Sequence, residues 1–226
     1  MTRIRRLDVE GGPARLLVDE PAGGPGNVRC VLVLGHGAGG GPGARDLVAL
    51  AGGLPSAGVL VLRFEQPWVV AGRRVAAPPP RLDLAWLDAL DWLRSRRAGV
   101  LRRAPEVPLV VGGRSAGARV ACRTAVAVGA VGCLALAFPL HPPGHAERSR
   151  GPELDAATVP TLILQGERDA FGGPPDIPTA PHRTVVGIAG ADHGFRGPVQ
   201  RHAGSRLEDL LVRPTQDWLD RVLAPG

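Results

Sequence analysis

Val107-Pro-Leu-Val-Val-Gly-Gly-Arg-Ser-Ala-Gly-Ala118 is the stretch on which the reading of this chain turns. An apolar strand, Val107–Val111, runs into a glycine-flanked serine and then into a helix-like segment. Gly113, Ser115 and Gly117 make the pattern G-x-S-x-G. A serine hydroxyl is a poor nucleophile until geometry presents it to a base. A strand-to-helix turn this tight predicts strained backbone that exposes the serine oxygen at the end of a sheet. Small flanking residues let the helix pack closer than any larger residue would permit. Glycine supplies 32 of 226 residues, so the pentapeptide needs support from its surroundings.

Those surroundings alternate strand and helix. Arg3–Val9 and Ala14–Val18 flank Glu10-Gly-Gly-Pro13, which predicts a hairpin. Val28–Leu34 is a continuous apolar run, as expected of a strand buried on both faces. Gly58–Phe64, Val107–Val111, Val131–Phe138, Val159–Leu164 and Arg183–Ile188 have the same character. Helices are expected over Ala44–Leu54, Leu82–Arg97, Ser115–Val128 and Leu207–Leu223. In the second of these, Leu82, Trp86, Leu87, Leu90 and Leu93 share one face. Such alternation predicts an α/β fold: a mostly parallel sheet with helices on both faces. The Pro-rich segments Gln66–Pro80 and Pro139–Ala157 are expected to be loops, each too short for a lid domain.

In sheets of this kind functional groups gather at the carboxyl ends of the strands. Four candidates fall there: Gly35-His-Gly-Ala-Gly-Gly40, then Ser115, then Asp169 in Leu164-Gln-Gly-Glu-Arg-Asp169, then His193 in Gly190-Ala-Asp-His193. The order Ser, Asp, His is that of the α/β-hydrolase arrangement. His193 would take the Ser115 proton and return it to a leaving group, while Asp169 would hold the imidazole in one tautomer. Backbone amides of Ala38 and Ala116 would face the developing oxyanion. Asp155 and Asp176 compete for the acid, and His36, His141, His145, His182 and His202 for the base. His36 suits support of the glycine loop better than base catalysis. Asp192 suits a capping role. His141, Arg114 and Trp68 are candidate substrate contacts, whereas Trp86, Trp92 and Trp218 sit in helical patterns and are expected in the core.

These blocks, together with Phe138-Pro-Leu-His-Pro-Pro-Gly144, carry a resemblance that spans roughly residues 28 to 196. The sequence resembles the α/β-hydrolase superfamily, in a compact branch similar to dienelactone hydrolases. It looks closest to the group that includes a testis-expressed protein and a subunit of a histone-acetylating chromatin complex. The resemblance implies an eight-stranded sheet with Ser115 as nucleophile, Asp169 as acid and His193 as base. Dienelactone hydrolases have a cysteine where this chain has Ser115, so their substrate is not carried over.

Length and 44% apolar content predict a single domain over residues 1–226 with a substantial core. All 27 basic residues are arginine, giving a net charge of +6. Arg3, Arg45, Arg73, Arg102, Arg148 and Arg201 are scattered without aromatic interleaving, so no nucleic-acid partner is expected. Cys30, Cys122 and Cys133 lie in apolar runs without metal spacing and predict inert thiols in a reducing compartment. No phosphate loop or dinucleotide fingerprint is present, so no cofactor and no metal are expected. The amino terminus lacks a signal-peptide pattern, and the apolar stretch Ala125–Leu140 is broken by Gly129, Gly132 and Pro139. A cytoplasmic protein without a membrane partner is expected, its oligomeric state unspecified. The function expected is a serine hydrolase acting on a small-molecule carboxylic ester or thioester, with a non-catalytic interaction module as the alternative.

Overall fold

The structure is a computed structural model that describes residues 2–22, 27–95, 107–197 and 207–224. Arg97, Arg102, Arg201 and His202 lie outside the described residues. Eight strands form one sheet: β1 (Arg3–Val9), β2 (Gly12–Asp19), β3 (Cys30–Gly35), β4 (Val59–Glu65), β5 (Leu109–Arg114), β6 (Gly132–Leu136), β7 (Thr161–Gly166) and β8 (Arg183–Ile188). Their spatial order is β1-β2-β4-β3-β5-β6-β7-β8. β1 and β2 pair antiparallel, β2 pairs antiparallel with β4, and the remaining neighbours are parallel. This is the eight-stranded, mostly parallel sheet that the resemblance implies.

Every residue of β3, β6 and β7 is buried, as expected where both sheet faces are covered. Alternation then divides the core in two. Val31 and Val33 point to a layer shared with helices α3 (Pro79–Arg94) and α4 (Ala116–Thr124). Leu32 and Leu34 point the other way, to α1 (Arg45–Gly53) and α6 (Leu207–Val222). Trp86 and Trp218 are buried in these two layers, and Trp92 packs partly buried against the first. The short helix α2 (Pro67–Val70) follows β4, and α5 (Gly151–Asp155) lies in the connection from β6 to β7. At its outer edge β1 exposes Arg3, Arg5 and Arg6, charges that discourage strand addition.

The differences from the expected elements have local causes. Val9 pairs with Gly12, so the hairpin turn is Glu10-Gly11 and Pro13 lies inside β2. Pairing of β2 with β4 begins only at Arg15, so the missing Pro13 N–H leaves no gap in that ladder. The Gln66–Pro80 and Pro139–Ala157 segments hold α2 and α5, both opened by a proline in the first turn, where its missing N–H costs nothing. Pro79 and Pro80 likewise start α3 three residues before Leu82. β6 stops at Leu136 rather than Phe138 because Ala137 turns to a φ of 46°. Among the described residues no helix is long and apolar enough to cross a membrane.

Ions join the helices on one face. Arg119 donates to both oxygens of Glu153, at 2.9 and 2.6 Å, and Arg123 pairs with Asp83 and with the same Glu153. The network ties α3, α4 and α5 together. Cys122 and Cys133 are buried with sulfurs 3.8 Å apart, and burial pushes the Cys30 thiol up to about 12.

A very close backbone approach lies beside the serine. A Cβ on Gly117 would stand 2.3 Å from the Gly35 oxygen, and one on Gly113 would stand 2.6 Å from that same oxygen. Both contacts are with backbone, which cannot swing aside. Gly117→Ala is therefore expected to lower stability by about 3 kcal/mol or more, read as a fall in Tm. Gly52→Ala, exposed on α1 with nothing within 4 Å of the added carbon, is expected to raise stability by ~0.5–1 kcal/mol in the same assay.

Candidate active site

Ser115 stands between β5 and α4, outside the helix, with φ 53° and ψ −112°. An L-residue occupies this region only when its surroundings hold it there. Here the amide of Ser115 donates to the Leu136 oxygen at 3.0 Å, and its carbonyl accepts from Arg119 N at 3.1 Å. The result lifts the hydroxyl above the carboxyl ends of β5 and β6.

Two loops bring the partners. His193 Nε2 lies 3.0 Å from Ser115 Oγ, and His193 Nδ1 lies 2.8 Å from Asp169 Oδ2. The carboxylate accepts the Nδ1 proton, which leaves the Nε2 lone pair facing the serine hydroxyl. Three side chains separated by up to 78 positions thus form one hydrogen-bonded series. Asp155 pairs instead with Arg183, and Asp176 accepts from Gly173 N, so neither competing acid reaches the imidazole. His145 meets Glu147 at the surface.

Several groups that the sequence did not single out hold this series in place. Gln165 is fully buried, and its Nε2 reaches Asp169 Oδ2 at 3.0 Å, Gly172 O at 2.6 Å and Phe138 O at 3.2 Å. Its Oε1 accepts from Phe138 N at 2.8 Å. Phe171 N donates to Asp169 Oδ1 at 2.9 Å, while the Phe171 ring lies against the His193 ring with centroids 4.2 Å apart. Asp192, as expected, caps its own loop: its Oδ1 accepts from Gly194 N and Arg196 N, both at 2.8 Å. A glutamine within a strand and a phenylalanine two residues past an aspartate carry no motif; only contact reveals them.

Arg114 lines the cleft, yet its guanidinium is already engaged. Its Nε lies 2.9 Å from Asp46 Oδ2, and its Nη2 donates to the His193 carbonyl at 2.9 Å. Asp46 is buried in the first turn of α1; burial pushes its carboxyl up, and the Arg114 charge draws it back down. Arg114 thereby braces the histidine loop against α1. The other two expected substrate contacts lie elsewhere. Trp68 is buried at the start of α2, edge-on to His36 with centroids 5.5 Å apart, beneath the glycine loop rather than on the cleft wall. His141 is absent from the cleft lining: its amide donates to Phe171 O at 3.1 Å and its Nδ1 lies 2.9 Å from Pro142 O.

The cleft itself has a volume of about 640 Å³ and contains Ser115, His193, Ala38 and Ala116. Ala116 is the first residue of α4, so its N–H has no acceptor within the helix. The Ala38 amide donates to no backbone acceptor among the described residues. Two donors are thus unspent beside the serine. Behind them, His36 ties the glycine loop to β4: Gln66 N donates to its Nε2 at 3.2 Å, and its Nδ1 donates to Gly37 O at 2.9 Å. Arg63 braces the other end, donating to Pro42 O at 2.9 Å and to Asp19 at 3.0 Å. Among the described residues no three metal-binding side chains are grouped.

His36 predicts an acid sensitivity. Burial pushes its pKa below 6.5, against the opposing pull of the Gly37 carbonyl. A depressed folded-state value means that stability is full above pH 6.5 and falls as pH drops through the folded value, because the unfolded chain takes up the proton first. Chemical denaturation from about pH 7.5 to about pH 5 is expected to show a loss of stability that His36→Asn lacks. Equal slopes in both proteins would contradict a neutral buried imidazole.

A family model described as an alpha/beta hydrolase domain matches residues 28–220 of the chain. Among solved structures, XC6422 from Xanthomonas campestris, described as an α/β serine hydrolase without a lid, is 21% identical with a TM-score of 0.71, over 100% of this chain and 96% of that one. Est1E from Butyrivibrio proteoclasticus is 15% identical with a TM-score of 0.70, over 98% of this chain and 99% of the other. A dienelactone hydrolase from Anabaena variabilis is 16% identical with a TM-score of 0.68, over 98% and 97% respectively. At such identities the likeness is one of fold. No curated protein matches the sequence. The family match covers the sheet from β3 onward together with the serine turn and both partner loops, and by it the chain belongs to the alpha/beta hydrolase domain family.

Proposed function

We propose that the protein is a serine hydrolase that cleaves a carboxylic ester or thioester through an acyl-enzyme intermediate. The observation that carries this reading is the unbroken series from the Ser115 hydroxyl through His193 to Asp169, at 3.0 and 2.8 Å. In this reading Ser115 Oγ attacks the substrate carbonyl as its proton passes to His193 Nε2. The carbonyl oxygen becomes an oxyanion and takes hydrogen bonds from the Ala116 and Ala38 amides. Collapse breaks the bond to the alcohol or thiol, which leaves with the proton from His193. Water, deprotonated by the same imidazole, then attacks the acyl-serine; the acyl–Oγ bond breaks, the proton returns from His193 to Ser115 Oγ, and the acid is released. Asp169 stays ionised throughout and stabilises the imidazolium that forms between the two proton transfers.

The connection from β6 to β7 holds only the short α5, and this supports a cleft open to substrates without lid movement. A fluorophosphonate probe is expected to label the wild type and to spare Ser115→Ala. Turnover of p-nitrophenyl esters is expected to fall by about 10⁴-fold in Asp169→Asn, which keeps the shape but stabilises the wrong tautomer. A folded wild type that neither takes the label nor hydrolyses any acyl ester would favour the interaction-module alternative.

A further inference from the structure

The cleft around Ser115 is lined by five arginines, Arg45, Arg114, Arg119, Arg150 and Arg196, and by a single acid, Asp46. Three of these are engaged within the protein: Arg114 with Asp46, Arg119 with Glu153, and Arg45 with a partner of its own. Among the described residues no carboxylate pairs with Arg150 or Arg196. Arg150 is half-buried, donates through Nη1 to Pro139 O at 3.0 Å, and faces like charge. Its burial, followed by the repulsion of Arg119, pushes its pKa down; the attraction of Glu153 offsets this only in part. Both Glu153 oxygens are already held by Arg119 and Arg123. Arg196 is exposed three residues beyond His193, its loop fixed by Asp192.

A partly desolvated guanidinium without a counter-ion is a standing cost to the fold. Placed on a cleft wall, it recovers that cost when an anion arrives, and arginine's planar fork suits carboxylate and phosphate oxygens. The high arginine content of the whole chain explains scattered surface charges. It does not explain an unpaired one packed against Pro139 beside the serine.

We propose that the acyl compound cleaved at Ser115 carries an anionic group, a carboxylate or a phosphate, held by Arg150 and Arg196. The inference rests on the hydrolase reading and specifies its substrate class. The anion has two possible positions, the acyl part or the leaving group. Each calls for its own pair of probes.

The first pair is p-nitrophenyl butyrate against the p-nitrophenyl half-ester of glutaric acid. The second is the butyryl thioester of N-acetylcysteamine against that of phosphopantetheine, whose thiol portion ends in phosphate. One anionic member is expected to exceed its neutral counterpart in kcat/KM by roughly ten- to a hundredfold, with the ratio shrinking as salt is raised. The first pair responding places the anion on the acyl side; the second places it on the leaving group. In Arg150→Gln and in the exposed Arg196→Gln the ratio is expected to fall towards one, while Arg150→Lys retains part of it. Since a folding defect lowers both members of a pair together, the ratio isolates the charge. Hydrolysis of the neutral compounds without any anionic preference, or a preference untouched by both glutamine variants, overturns this proposal and leaves the hydrolase reading standing. Absence of both labelling and hydrolysis overturns the two together.

Discussion

The closeness of three glycine backbones governs the site. β3, β5 and the first turn of α4 meet where Gly113 and Gly117 lie too near the Gly35 backbone for either to carry a Cβ. With α4 pressed onto the strand ends, the chain has no room for a gradual turn from β5. Ser115 absorbs the change of direction at a φ of 53°. Such a conformation costs of order 1–3 kcal/mol, and the packed layers on either side of the sheet are what hold it. The same approach sets the amide of Ala116 and the glycine loop after β3 beside the serine. Strain, exposed hydroxyl and unspent donors are three consequences of one contact.

Around that contact the protein uses buried polar groups as spacers. Gln165 spans β7, the Phe138 backbone and Asp169, so the acid cannot move without breaking several bonds at once. Arg114, next to the serine in sequence, reaches across to Asp46 and to the carbonyl of His193. The buried carboxylate of Asp46 faces this guanidinium as an ion pair through Oδ2 and accepts from the Leu47 amide through Oδ1. The histidine loop is therefore held from three directions: Arg114 below, Asp192 within the loop, and the Phe171 ring alongside the imidazole. Positional precision of this sort is what the proposed proton relay would require, since transfer efficiency falls off steeply with misplacement.

The charge distribution follows a different logic from the framework. On the helical face, Arg119 and Arg123 share Glu153 and Asp83 and lock three helices together. On the cleft wall Arg114 and Arg119 are paired in the same way, whereas Arg150 and Arg196 have no carboxylate partner among the described residues. Arg119 belongs to both settings, lining the cleft while its charge is taken up by Glu153.

Much of this was legible in the residues. Apolar runs located β3 to β7 and the four main helices, because a strand buried on both faces must be apolar throughout and a surface helix must be apolar on one side; the glycine turn located β1 and β2, and β8, expected to be buried like the others, is an edge strand with only Ile188 buried. The convergence of Ser115, Asp169 and His193 was legible because strand-end position and chain order constrain them together. Element ends were less so: a positive φ at Ala137, or prolines admitted at the first turn of α2 and α3, depend on what the neighbouring chain leaves room for. The candidate wall residues divided for the same reason. Trp68 is buried edge-on to His36, and His141 is held outside the cleft lining with its amide bonded to Phe171 O. Gln165, Phe171 and Asp46 bear no local signature, since their roles consist of distances to residues far away in the chain. Local chemistry and periodicity reach as far as type and order of elements; which side chains touch across a sheet is a matter of three-dimensional packing, and no linear pattern encodes it.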